Sequence, residues 1–301
     1  MMVAGTFSKL LAPGLDDVFN TAFREMPEQW TQLFNMRNSR KAYERHFSWA
    51  GFEQFQEFGE LETIQLRDAA PGYETKFVHR KFGLGYQLSR ELVDDNLYSN
   101  VLDDFPAQLA RSARASKETV AATIFNLAFS GSYPGADGQA LVSTAHPLAG
   151  RAGGTGSNGF ASTTPLSHTA LKDALISLRR TTADDGIFSP FTPPFTLVVP
   201  DALGFQAQEI LNTSQVPYSN DNTTNVLNGA GIKVLTWSYL TSTTDWFLVA
   251  PTAQTRLYYF ERWPLQQMAK DIDENLSMVH SAFERYSFGF SDWRGIFGAQ
   301  G

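Results

Sequence analysis

The chain has no cysteine among its 301 residues. Disulfide reinforcement, thiolate nucleophiles and cysteine-based zinc sites are therefore excluded. No stretch approaches the roughly 18 apolar residues of a membrane span, and Met1–Phe7 lacks the charged and apolar regions of a secretory signal. The expectation is a protein made and used in the cytoplasm, with no membrane partner. Lysine and arginine form no tract and the formal net charge is −7, which argues against a tight grip on nucleic acid.

Catalytic signatures are equally scarce. No G-x-S-x-G elbow occurs. The five histidines, His46, His79, His146, His168 and His280, show no metal-ligand spacing, and His146 reads as a loop histidine hydrogen-bonded to backbone. Gly154-Thr155-Gly156-Ser157-Asn158-Gly159 matches the dinucleotide pattern, but no strand leads into it and the next helix starts only after Pro165, so it reads as a crossover loop. The pairs Asp94-Asp95, Asp103-Asp104 and Asp184-Asp185 sit at expected helix ends, where capping and solvation explain them better than a cation does. Asn212-Thr213-Ser214 means nothing as a glycosylation motif without secretion. The expectation is no catalytic residue, no cofactor and no metal. A soluble α/β enzyme stays as an alternative, without a coherent constellation to support it.

What the chain does have is apolar material: 43% hydrophobic against 18% charged residues, with 24 phenylalanines. A real core follows. Most of those rings belong in it, with some left for contacts between subunits. Leu61–Arg67 and Tyr73–Val78 read as two strands of a hairpin, and Pro71-Gly72 between them suits a type II turn. Such a hairpin is marginal alone and needs another surface. A long amphipathic helix, Val101–Phe129, comes next and would span roughly 40 Å. Its apolar stripe is Phe105, Leu109, Ala113, Ser116, Val120, Ile124 and Leu127, with Arg111, Arg114 and Glu118 on the other side. Asp103 and Asp104 suit its first turn, Pro106 is tolerated near its start, and Gly131 and Pro134 stop it.

The first 47 residues read as an arm. Leu15, Val18, Phe19, Ala22 and Phe23 form a short helical stripe with Asp16 and Asp17 in its first turn, Pro27 ends it, and Trp30, Leu33 and Phe34 suggest a further turn. Phe47, Trp49, Phe52, Phe55 and Phe58 lie at the base of the hairpin. Ser89 is a candidate N-cap for a short helix through Glu91, Leu92 and Val93. A Gly/Ser/Thr/Ala-rich stretch over 131–164 marks a boundary. Thr164-Pro165 should open a helix with Leu171, Leu175 and Leu178 on one face, closed by Asp185-Gly186. Phe195–Pro200, Gly231–Leu235 and Trp246–Ala250 read as strands, and Asp201 should cap a helix through Phe205, Ile210 and Leu211. After Pro251, Arg256–Phe260 and Ala282–Phe288 read as strands returning onto the long helix. No internal repeat is present. The fold class is α+β.

This order of parts resembles the major capsid proteins of tailed bacteriophages with the Hong Kong 97 fold. The segments Tyr86–Asp95 before the helix and Leu141–Leu148 after it are similar to the Mu-like major head subunit family. The resemblance implies an N-terminal arm (1–47), an extended loop (48–88), a peripheral domain (89–147 and 251–301) built on a spine helix, and an inserted axial domain (148–250). It implies self-assembly into hexamers and pentamers of an icosahedral virion shell around double-stranded DNA, formed in the host cytoplasm, with DNA touched only weakly and non-specifically. Portal, scaffold or protease, and decoration proteins are the implied further partners. Arg67, Pro71, Gly72, Tyr73 and Lys76 would be extended-loop contacts between subunits, and Phe105, Leu109, Val120, Ile124 and Leu127 the spine. Some relatives join subunits through a lysine–asparagine isopeptide bond. Here Lys76 and Lys81 lie on the return strand and its base, Arg67 lies near the tip, and no matching asparagine or glutamate is assigned, so cross-linking is not expected. The same fold in an encapsulin-type bacterial compartment is the alternative.

Overall fold

Residues Ser99–Asn126 form one 28-residue helix, and the rest of the chain is arranged around it. The computed structural model describes residues 7–52, 54–55, 57–60, 63–64, 66, 71–89, 91, 99–150, 153–217, 223–272 and 277–301. In chain order the elements are α1 (Phe7–Glu25), β1 (Asn35–Asn38), β2 (Tyr43–Trp49), β3 (Pro71–Val78), β4 (Arg80–Ser89), α2 (Ser99–Asn126), β5 (His146–Pro147), β6 (Thr155–Gly156), α3 (His168–Arg179), β7 (Phe195–Val199), α4 (Gly204–Asn212), β8 (Ile232–Thr236), β9 (Trp246–Val249), β10 (Leu257–Ile272), β11 (Ser277–Phe290) and β12 (Ile296–Ala299).

Two four-stranded sheets carry the fold, ordered β1-β10-β11-β4 and β12-β9-β7-β8. In the first, β10 and β11 form a long antiparallel ribbon, β4 pairs antiparallel with β11 from Ser89 to Arg80, and β1 lies parallel to β10. The ribbon's register shifts on both sides of Trp263. Pro264 lies within that irregular stretch and cannot donate to the ladder, which forces a bulge. In the second sheet β7 and β8 are parallel, a pairing that needs a crossover, and α4 supplies it. The C-terminal strand β12 completes the second sheet by pairing antiparallel with β9.

The helix is the wedge between these sheets. Ala121, Ala122, Ile124, Phe125 and Ala128 share one apolar cluster with Val198, Leu235, Phe247 and Ile296 on one side and Tyr259, Tyr286, Phe288 and Phe290 on the other. Phe125 sits 5.7 Å from Trp237 and 5.2 Å from Phe247, ring centre to ring centre. Small residues at 121, 122 and 128 let the strands approach, while Phe125 fills the space between them. The N-terminal half of α2 is covered by α1, where Phe19 and Ala22 meet Leu109, Ala110 and Ala282. Leu171, Leu175 and Leu178 of α3 are buried against the second sheet as expected.

Several local readings change. The long helix begins at Ser99, so Asp103 and Asp104 fall outside its first turn. α1 begins at Phe7, which puts Asp16 and Asp17 mid-helix. Ser167 caps α3, accepting from the Ala170 amide at 3.1 Å, in place of Thr164-Pro165, and α3 ends at Arg179, before Asp185-Gly186. Asp201 starts a single 3-10 turn and makes no side-chain cap, and Phe205 is 84% exposed. Ser89 ends β4, and Leu92 and Val93, where a short helix was expected, lie outside the described residues.

The main departure concerns the polar face of α2. Arg114 pairs with Glu28 and stacks on Phe23, 3.6 Å from its ring centre. Lys117 and Glu118 are buried. Lys117 Nζ lies 2.7 Å from Glu284 Oε2, beneath the rings of Tyr259 and Tyr286. Glu118 Oε2 accepts from Trp237 Nε1 at 2.8 Å, and its Oε1 accepts from the Gln29 amide at 2.6 Å and the Trp30 amide at 3.4 Å. Burial pushes both carboxyls above the usual glutamate value, against the pull of Trp237 and the two amides on Glu118 and of Lys117 on Glu284. Breaking a buried pair strands the surviving charge, so Glu284→Ala is expected to lower stability by about 3–5 kcal/mol. The double change Lys117→Met with Glu284→Leu should recover most of that loss, as read from urea midpoints of the unassembled chain. A double variant no better than the single one would contradict this account of the pair.

Candidate assembly surface

The strand that receives Tyr73–Val78 is β2, residues Tyr43–Trp49, with a register running from Tyr43↔Val78 to Trp49↔Pro71. This corrects the expected hairpin between Leu61–Arg67 and Tyr73–Val78. Thr63, Ile64 and Leu66 carry no strand, and Leu61, Glu62, Gln65 and Arg67 lie outside the described residues. Pro71-Gly72 is likewise not a type II turn: both residues open β3, and Gly72 does not adopt the positive φ that such a turn demands. Glycine is needed at 72 because a Cβ there would collide with Ser48. Alternation in β2, from Tyr43 through Arg45 and Phe47 to Trp49 on one side, was legible in the sequence but hidden by assigning 1–47 to an arm.

The β2–β3 ladder is anchored on one face only. His46 is wedged among Phe77, Tyr258 and Phe260, with ring centres at 5.3, 4.6 and 5.3 Å. Ser48 Oγ, where the ladder shifts register, accepts from the Tyr73 amide at 2.7 Å and donates to the Tyr73 carbonyl at 3.1 Å. Tyr73 OH donates to the Pro147 carbonyl at 3.1 Å, tying the loop base to the body. Lys76 lies 4.5 Å above the Tyr43 ring, and Arg45 pairs with Glu74 at 3.3 Å. On the other face and onward along the chain, Phe47, Trp49, Phe52, Phe55 and Phe58 are each more than half exposed, followed by Ile64 and Leu66. A run of this kind exceeds the scattered exposed apolar residues of ordinary surfaces and marks an interaction site.

Of the other expected site residues, Pro71 and Lys76 are exposed on β3 and Tyr73 is half-buried. Along α2, Leu109 and Ile124 are buried, Val120 is partly buried, and Phe105 is partly exposed with its ring edge against Tyr86; the helix ends at Asn126, so Leu127, expected on the spine, lies in the turn that follows and is partly buried.

Reasoning from sequence missed a buried cluster behind the loop base. The fully buried His146 contacts Asp137 Oδ2 through Nδ1 at 2.6 Å and Asn158 Oδ1 through Nε2 at 3.0 Å, so its partners are side chains and the expected backbone bond is corrected. Its ring stacks on Trp293 at 4.4 Å. Asn158 Nδ2 donates to the Leu141 carbonyl at 2.8 Å, and its Oδ1 also accepts from the Ser143 amide at 2.9 Å. The glycine-rich segment is thus a clamp: Thr155-Gly156 pairs with His146-Pro147, and a side chain at 156 would collide with Trp293. Asp184 is buried and pairs with Arg294 at 2.7 Å, which replaces the solvated cap expected there. A cavity of about 650 Å³ beside the loop base is lined by Arg37, Arg45, Arg256, Arg294, Asp184 and Asp292. Among the described residues no group of His, Cys, Asp or Glu is arranged to hold a metal ion, and no helix is long and apolar enough to cross a membrane.

The matching family model is that of the phage capsid protein, and it covers residues 72–299. This chain belongs to the phage capsid protein family. Solved structures share its Hong Kong 97-like fold at low sequence identity. The capsid of the cyanophage P-SCSP1u matches with a TM-score of 0.61 and 11% identity over 90% of this chain and 87% of that one. The Mycobacterium phage Patience structure matches at 0.56 and 13% over 100% and 88%, and a virus-like particle from Pyrococcus furiosus at 0.56 and 10% over 96% and 98%. Against the bacteriophage JBD30 capsid the TM-score is 0.50 at 13% identity, and the match covers 91% of this chain and 65% of that one. No curated protein matches the sequence.

His79 bridges Ser287 Oγ at 2.9 Å and Ser39 Oγ at 3.0 Å beside the ladder. Burial, reinforced by Arg285, holds its pKa below the ordinary 6.5. A histidine whose folded pKa is lowered contributes stability above the ordinary value and loses it as pH falls from there to the folded one. We expect the urea midpoint to drop between pH 7.5 and pH 5.5 by more in the wild-type chain than in His79→Gln. Equal drops would contradict this role.

Proposed function

We propose that this capsid-family chain is the major head protein of a tailed phage, and that its copies assemble into hexamers and pentamers closing an icosahedral shell around double-stranded DNA. The observation that carries the reading is the one-sided ladder: its root is locked into the body by His46 and Tyr73, while the aromatic segment beyond it lies exposed. Exposed rings on a rigid root favour burial against a repeated neighbour, and many such interfaces summed over a closed lattice allow each to be weak. Residues 43–88, with β2 and β3 as its root, then act as the extended loop, 1–42 as the arm, 89–147 and 251–295 as the peripheral domain with α2 as spine, and 148–250 together with β12 as the axial domain. Arg67, Pro71, Gly72, Tyr73 and Lys76 are assigned to contacts between subunits.

The finer kinship we favour is with Mu-like head subunits, on the segments Tyr86–Asp95 and Leu141–Leu148. Assembly in the host cytoplasm, a portal, and a scaffold or protease belong to the same reading, as do decoration proteins; minor capsid protein trimers decorate the JBD30 capsid. With a net charge of −7, contact with packaged DNA is weak and non-specific. The chain acts by geometry and catalyses nothing.

Expressed alone or with its scaffold, the chain is expected to give closed shells by negative-stain microscopy. Replacing residues 50–66 with a glycine–serine linker of equal length should abolish shells while leaving the thermal midpoint of the unassembled chain within a few degrees. Normal shells from that variant, or only small oligomers from the wild-type chain, would overturn the proposal.

A further inference from the structure

The cavity of about 650 Å³ beside the loop base falls in the size range of small-ligand sites, and its charges are unevenly paired. Arg294 is fully engaged, reaching Asp184 Oδ1 at 2.7 Å and Asp292 Oδ1 at 3.2 Å. Those two aspartates are the only acids among the described residues that line the cavity. Arg45 pairs with Glu74. Arg37 and Arg256 also line the cavity, and neither makes an ion pair with an acid among the described residues. Both are exposed, and both gather around one phenol. The Arg37 guanidinium lies 4.8 Å from the centre of the Tyr258 ring, and Arg256 Nη1 donates to Tyr258 OH at 3.3 Å. Like charges held around one ring repel each other, and an anion shared between them removes that cost.

Uncharged donors line the same cavity. Ser291 is fixed beside Arg256, its amide donating to the Arg256 carbonyl at 3.0 Å, and the Ser189 amide donates to the Thr181 carbonyl at 2.8 Å. Neither serine hydroxyl has a hydrogen-bond partner among the described residues, and the same holds for the ring nitrogens of His46. Burial, followed by Arg37 and then Arg256, holds the His46 pKa below the ordinary 6.5, against the pull of Glu44. The field in the cavity is therefore positive, and the neutral imidazole keeps one N–H to donate. Guanidinium forks and hydroxyls from separate segments, with the neighbouring carboxylates already taken, suit a tetrahedral oxyanion of charge near −2.

We propose that this cavity binds a dianionic oxyanion of the phosphate type, held by Arg37 of β1, Arg256 at the entry to β10, and the hydroxyls of Ser189 and Ser291. His46 of β2 stands at the wall of the site, so the occupant fastens the loop root to the body. The inference goes beyond the shell reading and does not rest on it, because every group named belongs to one copy.

The test titrates inorganic phosphate into the full, unassembled chain by calorimetry, at constant ionic strength set with chloride. One saturable site per chain is expected. Arg37→Gln and Arg256→Gln should each weaken it about tenfold or more, the loss of a charged hydrogen bond. Arg256→Lys keeps the charge without the planar fork and should weaken it less. Lys172→Gln removes the same charge from the exposed side of α3 and should leave the affinity unchanged. Phosphate also stabilises proteins by exclusion from their surface, so the thermal midpoint is read as a difference. Phosphate should raise that of the wild-type chain by about 3 °C more than that of the Arg37→Gln, Arg256→Gln double variant. Should a glutamine variant fail to fold, Ser189→Ala with Ser291→Ala, expected to weaken binding several-fold, carries the test. Absence of saturable binding, unchanged affinity in variants that melt like the wild type in chloride, equal weakening by Lys172→Gln, or binding of a duplex oligonucleotide but not of phosphate would each overturn the inference.

Discussion

Everything in this molecule depends on two neighbouring side chains of one helix being buried when sequence periodicity would leave them in water. Glu118 accepts from the indole of Trp237, at the edge of the second sheet, and from the amides of Gln29 and Trp30, at the end of the N-terminal segment. Lys117 meets Glu284 on the central strand of the first sheet. A desolvated charge tolerates only a narrow set of positions for its partners, because each lost hydrogen bond leaves an unpaired group in a low-dielectric interior. Apolar packing around Phe125 supplies the driving force for bringing the two sheets onto α2. The buried polar contacts decide in which relative position they stop.

That fixed frame gives the loop its character. β2 and β3 leave the body from a root held by His46 among three aromatic rings and by Tyr73 on Pro147, so the chain projects from a defined place in a defined direction. Past the root, Phe52, Phe55 and Phe58 are each more than half exposed among the described residues. Rigid anchoring and apolar exposure are opposite demands in a monomer. They become compatible when identical copies supply the missing cover, as membership of the phage capsid protein family leads one to expect.

Much of this was legible in the sequence, for identifiable reasons. The long helix showed because 28 residues of one period leave a strong pattern. Leu171, Leu175 and Leu178, and the apolar runs of β7 and β9, showed because fully buried elements carry few competing signals. The burial of Lys117 and Glu118 stayed hidden because a charged residue looks solvated until the covering elements are known, and here they come from positions 88 to 167 residues away. The pairing of Tyr73–Val78 was misassigned because Pro71-Gly72 is a strong local turn signal that tertiary contact with Ser48 overrides. The His146 clamp was invisible for the same reason as the helix charges: Asp137, Asn158 and Trp293 converge only in the folded chain.

Hydrogen–deuterium exchange on unassembled and assembled protein tests the account most directly. Amides of residues 110–126 should be strongly protected in both states, since the frame is complete within one subunit, whereas amides of residues 50–66 should exchange rapidly in the free chain and become protected only in shells. Slow exchange across 50–66 in the free subunit, or a spine helix that gains its protection only on assembly, would contradict it.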